Sequence, residues 1–434
     1  MKMNCSAAVR KGGAWVILMV LMVPISQASS QGKWYVFRGA PDGAYPTSAL
    51  TEDASGNFYG VSTYGGIVNS ASGCPLGCGT IYMFSKSSSG SWQKSIIYRF
   101  PANVGGRFPS GTLILDSSGN IFGTAAQSAS GYGIVFELSP SNGGWNLDTL
   151  YTFQGSSDGG SPLSGVIFDG EGNLYGTASY GGICSVNICG GVVFKLAQNQ
   201  GGPWTESVLY AFQPQPFASL VPSALAFDSS GNLYGTTQNG GANGFGSVFE
   251  LTPNEGGTWT ESDLYSFENS SDGGYPSSGV VFDAAGNMYG ETSYGGSFTC
   301  SKVGCGVIFE LTPQAGATWS EKTAYTFDSL NGRTGDSPAG GLVLDAAGNL
   351  YGTTVVGGVA TCHNLPDSCG TIFELSPSMS FRLLGSFNGT DGAYPYAGPI
   401  IDRKGNIYGT ASQGGDFTCG VSNGCGTVFE FTPY

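Results

Sequence analysis

The sequence predicts an all-β protein, a seven-bladed β-propeller of four-stranded blades whose ring is closed by the N-terminal strand joining the last blade. Three observations predict it. The string Asp-x-x-Gly-Asn-x-aromatic-Gly occurs seven times, beginning at Asp53, Asp116, Asp169, Asp228, Asp283, Asp345 and Asp402, about 58 residues apart on average. Each unit contains four short strand-type runs separated by Gly, Pro, Asn and Asp, and none shows a helical period of useful length. The two ends of the chain are out of phase with the repeat, so that one end supplies the strand the other lacks.

Residues 1–28 read as a signal peptide. Lys2, Arg10 and Lys11 precede an apolar run from Ala14 to Ile25, and Ser26-Gln27-Ala28 sets small residues at the −3 and −1 positions of a cleavage site after Ala28. The run is too short to cross a bilayer, which takes about 20 residues. Cys5 precedes the run, where a lipid-bearing cysteine would follow it. The mature chain, 29–434, is expected to be one soluble, secreted or periplasmic domain and a monomer, with no membrane insertion.

Within each unit the first strand is the apolar run before the motif Asp, such as Gly279-Val280-Val281-Phe282, and the second follows the turn, as in Asn287-Met288-Tyr289-Gly290. The third is Val307-Ile308-Phe309-Glu310-Leu311 and its equivalents, and the fourth Leu264-Tyr265-Ser266-Phe267 and its equivalents. Trp34-Tyr35-Val36-Phe37 matches a fourth strand, and Val428-Phe429-Glu430-Phe431 at the far end matches a third. Joining them completes the last blade and removes the open edges. Small residues stand five and four positions before each Asp, from Ser48-Ala49 to Ala397-Gly398. Seven strands crowding one axis need such residues, which places the first strand innermost.

Ten cysteines remain after signal cleavage, in five close pairs: Cys74 and Cys78, Cys184 and Cys189, Cys300 and Cys305, Cys362 and Cys369, Cys419 and Cys425. All lie between second and third strands. Those stretches run 15 to 19 residues from Gly to Gly in the five pair-bearing blades, against 10 and 11 in the two others. Longer loops therefore carry staples, and an even count on an exported chain reads as disulfides. Zinc would need pairs from separate blades to meet.

The Asp-x-x-Gly-Asn-x-Tyr-Gly-Thr string, followed by Gly-Gly and then Val-Phe-Glu-Leu-Thr-Pro, resembles the GloVer tandem repeat of secreted bacterial proteins, named for Gloeobacter and Verrucomicrobia. The resemblance covers nearly all of residues 33–434 and implies extracellular or periplasmic residence in a bacterium. Members often carry a C-terminal surface anchor, and this chain departs from them by ending at Tyr434 directly after a strand. The resemblance implies no activity and no catalytic residues.

Composition narrows the function. The net charge is −14, and −17 once the three signal-peptide cations are removed, which excludes nucleic acid and anionic membranes as partners. A single histidine, His363, argues against imidazole metal sites and Ser-His-Asp triads. The arginines are scattered over unlike repeat positions, against a sialidase-type cluster. The motif Asp reads as a turn former, accepting hydrogen bonds from turn amides. Trp92, Trp145, Trp204, Trp259 and Trp319, one per blade beside the fourth strand, read as packing residues that diverge around the disc.

The function expected is that of a non-enzymatic propeller binding a glycan, polymer or protein through one loop face. The alternatives are a channel-mouth hydrolase, lyase or lactonase using acids from several blades, and a purely structural envelope or matrix module. No cofactor is required. Asp42, Asp158, Asp272 and Asp391, each four residues before a Pro in the blade-to-blade crossovers, either shape their turns or ring the channel mouth as oxygen ligands for Ca²⁺.

Overall fold

The computed structural model describes residues 30–432 except 103–104, 186–187, 200–201, 215–222, 317, 329–333, 359–361, 364 and 366–367. The signal peptide lies outside the described residues. Seven antiparallel sheets, the blades, follow one another around a ring, an eighth sheet of two short strands (Cys184–Ser185 and Ile188–Cys189) lies in the blade-three loop, and there is no α-helix among the described residues.

Blade one is built in sequence order from Thr51–Glu52, Phe58–Ser62, Thr80–Lys86 and Trp92–Arg99. Blade seven takes Ile400–Ile401, Ile407–Ala411 and Thr427–Thr432 from the C-terminal end of the chain. Its outer strand is Ser30–Val36, paired antiparallel with Thr427–Thr432 from Ser30 opposite Thr432 to Val36 opposite Thr427. The closure is thus the one the sequence phase predicts, beginning four residues earlier than Trp34.

Each hairpin between first and second strands is tied by its Asp. In blade one, Asp53 Oδ1 accepts from the Ser55 and Asn57 amides at 2.8 and 2.9 Å, and Oδ2 accepts from Asn57 Nδ2 at 2.8 Å and the Tyr59 hydroxyl at 3.0 Å. Gly56 adopts the positive φ of +79° that this turn needs. Burial alone would raise these carboxyls, but the donated hydrogen bonds outweigh it and hold Asp53, Asp169, Asp283, Asp345 and Asp402 below the ordinary aspartate value.

The innermost ladders are shorter than the apolar runs suggest, two residues in most blades. Side chains take over the missing bonds. Ser48 Oγ accepts the Val61 amide at 3.3 Å, and Ser223 Oγ accepts the Thr236 amide at 3.0 Å.

The core lies between blades, where three contacts recur. The last Phe of each outer strand meets an aromatic ring in the third strand of the next blade, as in Phe153–Phe194 at 5.1 Å, Phe267–Phe309 at 5.2 Å and Phe37–Tyr82 at 5.2 Å. A second-strand Thr donates to an inner-strand carbonyl of the next blade, as in Thr124 to Ser164 at 2.9 Å, Thr236 to Ser278 at 2.8 Å and Thr410 to Ser48 at 2.9 Å. The third-strand Gly lies under the proline of the next crossover, so that a Cβ on Gly246 would fall 2.5 Å from Pro276 Cδ. The tryptophans pack between blades as expected: Trp204 lies edge-on to Phe122, Trp259 to Tyr175 and Trp319 to Tyr234.

Candidate functional site

The crossovers and the second-to-third loops share one face of the disc. In the six crossovers that the structure describes, the residue before the proline donates its amide to the loop of the preceding blade, as in Tyr45 to Cys425 O at 3.0 Å, Phe108 to Cys78 O at 2.8 Å, Ser161 to Tyr132 O at 2.7 Å and Tyr394 to Cys369 O at 3.0 Å. These residues, with Tyr275 and Ser337, have φ between +51° and +58°. A left-handed backbone costs a non-glycine residue about 1–2 kcal/mol. Six such residues at one repeat position hold their side chains on the crossover face.

All five cysteine pairs are disulfides within their own loops. They close the longer loops of this face. His363 sits in one of them, edge-on to Phe417 at 5.8 Å.

The four crossover aspartates lie toward the outer strands, apart from one another. Asp42 accepts from the Tyr35 hydroxyl at 2.8 Å, the Arg38 amide at 3.0 Å and Lys94 Nζ at 2.6 Å. Burial pushes Lys94 down to about 8, partly offset by Asp42. Asp158 accepts from the Gln154 and Ser156 amides at 2.7 and 3.1 Å, Ser156 Oγ at 3.0 Å and the Tyr151 hydroxyl at 3.1 Å. Asp272 repeats that pattern with Glu268, Ser270 and Tyr265. Asp391 accepts from the Asn388 amide at 2.8 Å and Asn388 Nδ2 at 2.9 Å. Each carboxylate accepts at least one amide of its own turn. Among the described residues no group of three or more His, Cys, Asp or Glu side chains is close enough to hold a metal ion. Glu206 and Glu321, facing Asp158 and Asp272 from the next blade, are raised to about 7 by burial and by those charges.

The axial channel is different. It is a cavity of about 400 Å³ lined from all seven blades by the small residues of the inner strands, together with Leu163 and Tyr396, and none of its lining residues is Asp, Glu, Lys, Arg or His. Tyrosines from several blades cluster in the crossovers and the loops beside them. Tyr64 lies edge-on to Tyr45 at 5.5 Å and to Phe108 at 5.7 Å, and Tyr275 lies edge-on to Phe245 at 5.6 Å and to Tyr294 at 5.5 Å. Burial raises the Tyr45 hydroxyl, with smaller contributions from Tyr64 and Tyr396, and burial raises Tyr396, with a smaller one from Tyr294.

Among the described residues, the exposed large hydrophobics lie on this face: Ile67, Val68 and Leu76 in the blade-one loop, Tyr180 and Ile183 in blade three, Phe298 and Val303 in blade five, and Leu163 and Tyr396 at the channel. None belongs to the hairpins opposite. Sequence reasoning named the crossovers but missed these side chains. The available signal was the residue before each crossover proline and the Tyr before Gly-Gly at Tyr64, Tyr180 and Tyr294.

The Gloeobacter/Verrucomicrobia repeat matches residues 24–188 and 185–429. No curated protein matches the chain in sequence. Among solved structures it is similar to a luciferin-regenerating enzyme, at 12% identity over 93% of this chain and 95% of that one, with a TM-score of 0.43. It is also similar to the calcium-binding protein regucalcin from Agrobacterium tumefaciens, at 12% identity over 93% and 94%, with a TM-score of 0.42. A third similarity is to a puromycin-hydrolysing peptidase of Mycobacterium tuberculosis, at 12% identity over 87% and 52%, with a TM-score of 0.48.

Proposed function

The chain belongs to the Gloeobacter/Verrucomicrobia repeat family, and we propose that it is an exported, non-enzymatic propeller that binds a glycan, polymer or protein through its crossover face. One observation carries the reading. Exposed aromatic and aliphatic side chains from several blades share the crossover face, whereas Asp42, Asp158, Asp272 and Asp391 accept amides of their own turns. Large exposed apolar side chains on a single face favour association there. General acid–base chemistry needs a proton donor or acceptor within hydrogen-bond reach of the reacting atom, and the channel lining contains no carboxylate or imidazole.

Export is supported by the basic, apolar and small-residue order of residues 1–28 and by five disulfides, which persist in oxidising compartments. No helix among the described residues is long and apolar enough to cross a membrane.

Retention on envelope and extracellular-polymer fractions of the source bacterium tests the reading. The wild-type protein should be retained without turnover of glycoside or lactone substrates. Ile67→Ser combined with Phe298→Ser should reduce retention, and Ser118→Ala with Ala285→Ser in the opposite hairpins should leave it unchanged. Dependence on the hairpin residues, or turnover of a substrate, would overturn it.

A further inference from the structure

The axial channel carries an inference about ligand chemistry that rests on the binding reading above. We infer that its mouth receives the uncharged terminus of a neutral glycan, packed against Tyr396 and Leu163 and hydrogen-bonded to the hydroxyls of the channel wall.

Charge is the first argument. None of the channel-lining residues is Asp, Glu, Lys, Arg or His, so a carboxylate or sulfate entering the channel would lose water and gain no counter-charge. The acidic chain, at −14 overall, further disfavours polyanions.

The second argument is the alternation of the wall. Thr112, Ser164 and Ser277 supply hydroxyls, and between them Ala, Gly and Leu side chains supply hydrocarbon. A ligand that presents both hydroxyls and C–H groups matches such a wall, whereas a purely apolar one would leave its hydroxyls without water or partner.

The third is the mouth itself. Tyr396 and Leu163, which line the open cavity, are each 48% exposed. A tyrosine offers an apolar face and a polar tip, which matches the C–H face and hydroxyl rim of a pyranose. The volume, about 400 Å³, lies toward the lower end of small-ligand pockets, which run from about 300 to 1,000 Å³. It suits the end of a chain, not the side of a folded polymer.

Calorimetry of the mature protein with cellohexaose, laminarihexaose and mannohexaose, against oligogalacturonate and oligoalginate, tests the assignment. At least one neutral hexaose should bind and neither uronate should. Tyr396→Ala should weaken that binding at least tenfold and Tyr396→Phe should weaken it less, with melting temperatures confirming that the variants fold. Failure of all three neutral glycans to bind, uronate binding, or indifference to Tyr396→Ala would overturn it. Failure here with undiminished retention on envelope fractions overturns the ligand and leaves the binding face standing. Loss of both overturns both.

Discussion

Replacing Glu291 by Gln removes a carboxyl that is fully buried between blades five and six. Blades two, three, four, six and seven have Thr at this place. The carboxyl Oε2 accepts the Gly341 amide at 2.9 Å, while Oε1 has no partner and lies where a Cβ on Gly352 would come within 2.8 Å of it. Burial raises the group from 4.5 to about 8, only partly countered by the Gly341 hydrogen bond. The native state therefore keeps a proton that the unfolded chain has already released. Its contribution to stability is complete below pH 4.5, declines as pH rises toward 8, and is gone above. A shift of that size, at about 1.4 kcal/mol per pH unit, amounts to about 4–5 kcal/mol. Glu291→Gln is nearly isosteric and neutral at every pH, so it avoids that loss. Urea denaturation of both proteins from pH 4 to pH 9, with disulfides intact, should show equal stability near pH 4 and a variant more stable by several kcal/mol at pH 9. Glu206 and Glu321 titrate in both proteins and cancel in the difference. A difference that does not change with pH would refute the reasoning.

Deleting residues 30–36 should sharply lower the melting temperature, because it removes the strand paired with Thr427–Thr432 and opens the ring; an unchanged melting temperature would contradict the closure. Gly246→Ala should destabilise by several kcal/mol more than Gly256→Ala in equilibrium denaturation. Both glycines have positive φ, which costs alanine about 1–2 kcal/mol, but only at Gly246 would the new Cβ fall 2.5 Å from Pro276 Cδ and Thr237 O. The denatured, unreduced mature protein should show no free thiol, and the Cys300→Ser, Cys305→Ser double variant should lose about 2 kcal/mol on the chain-entropy estimate.

The ring was legible in the sequence because its determinants repeat. Seven Asp-Gly-Asn turns set the blade count, and the phase of Trp34–Phe37 against Val428–Phe431 set the closure. Loop lengths marked the disulfides. The small inner-strand residues identified the axis they line, although the serines among them shorten the ladders by taking second-strand amides themselves. The site was less legible. Asp42, Asp158, Asp272 and Asp391 occupy crossovers that descend to the axis, but the first three accept from tyrosines on outer strands and Asp391 accepts from Asn388. Tyr45, Tyr294 and Tyr396 belong to three distant segments, which only the closed ring sets on the same face. Glu291 departs from a Thr at one motif position, and its significance depends on burial that periodicity does not reveal.

Hydrogen exchange of the mature protein, with and without the polymer fraction that retains it, tests the one-face account most directly. The account predicts slowed exchange in the crossovers and second-to-third loops, at residues 44–46, 63–66, 273–276, 294–296 and 394–397, and no change in the seven Asp-x-x-Gly-Asn hairpins opposite. Protection centred on those hairpins, or spread equally over both faces, would contradict it.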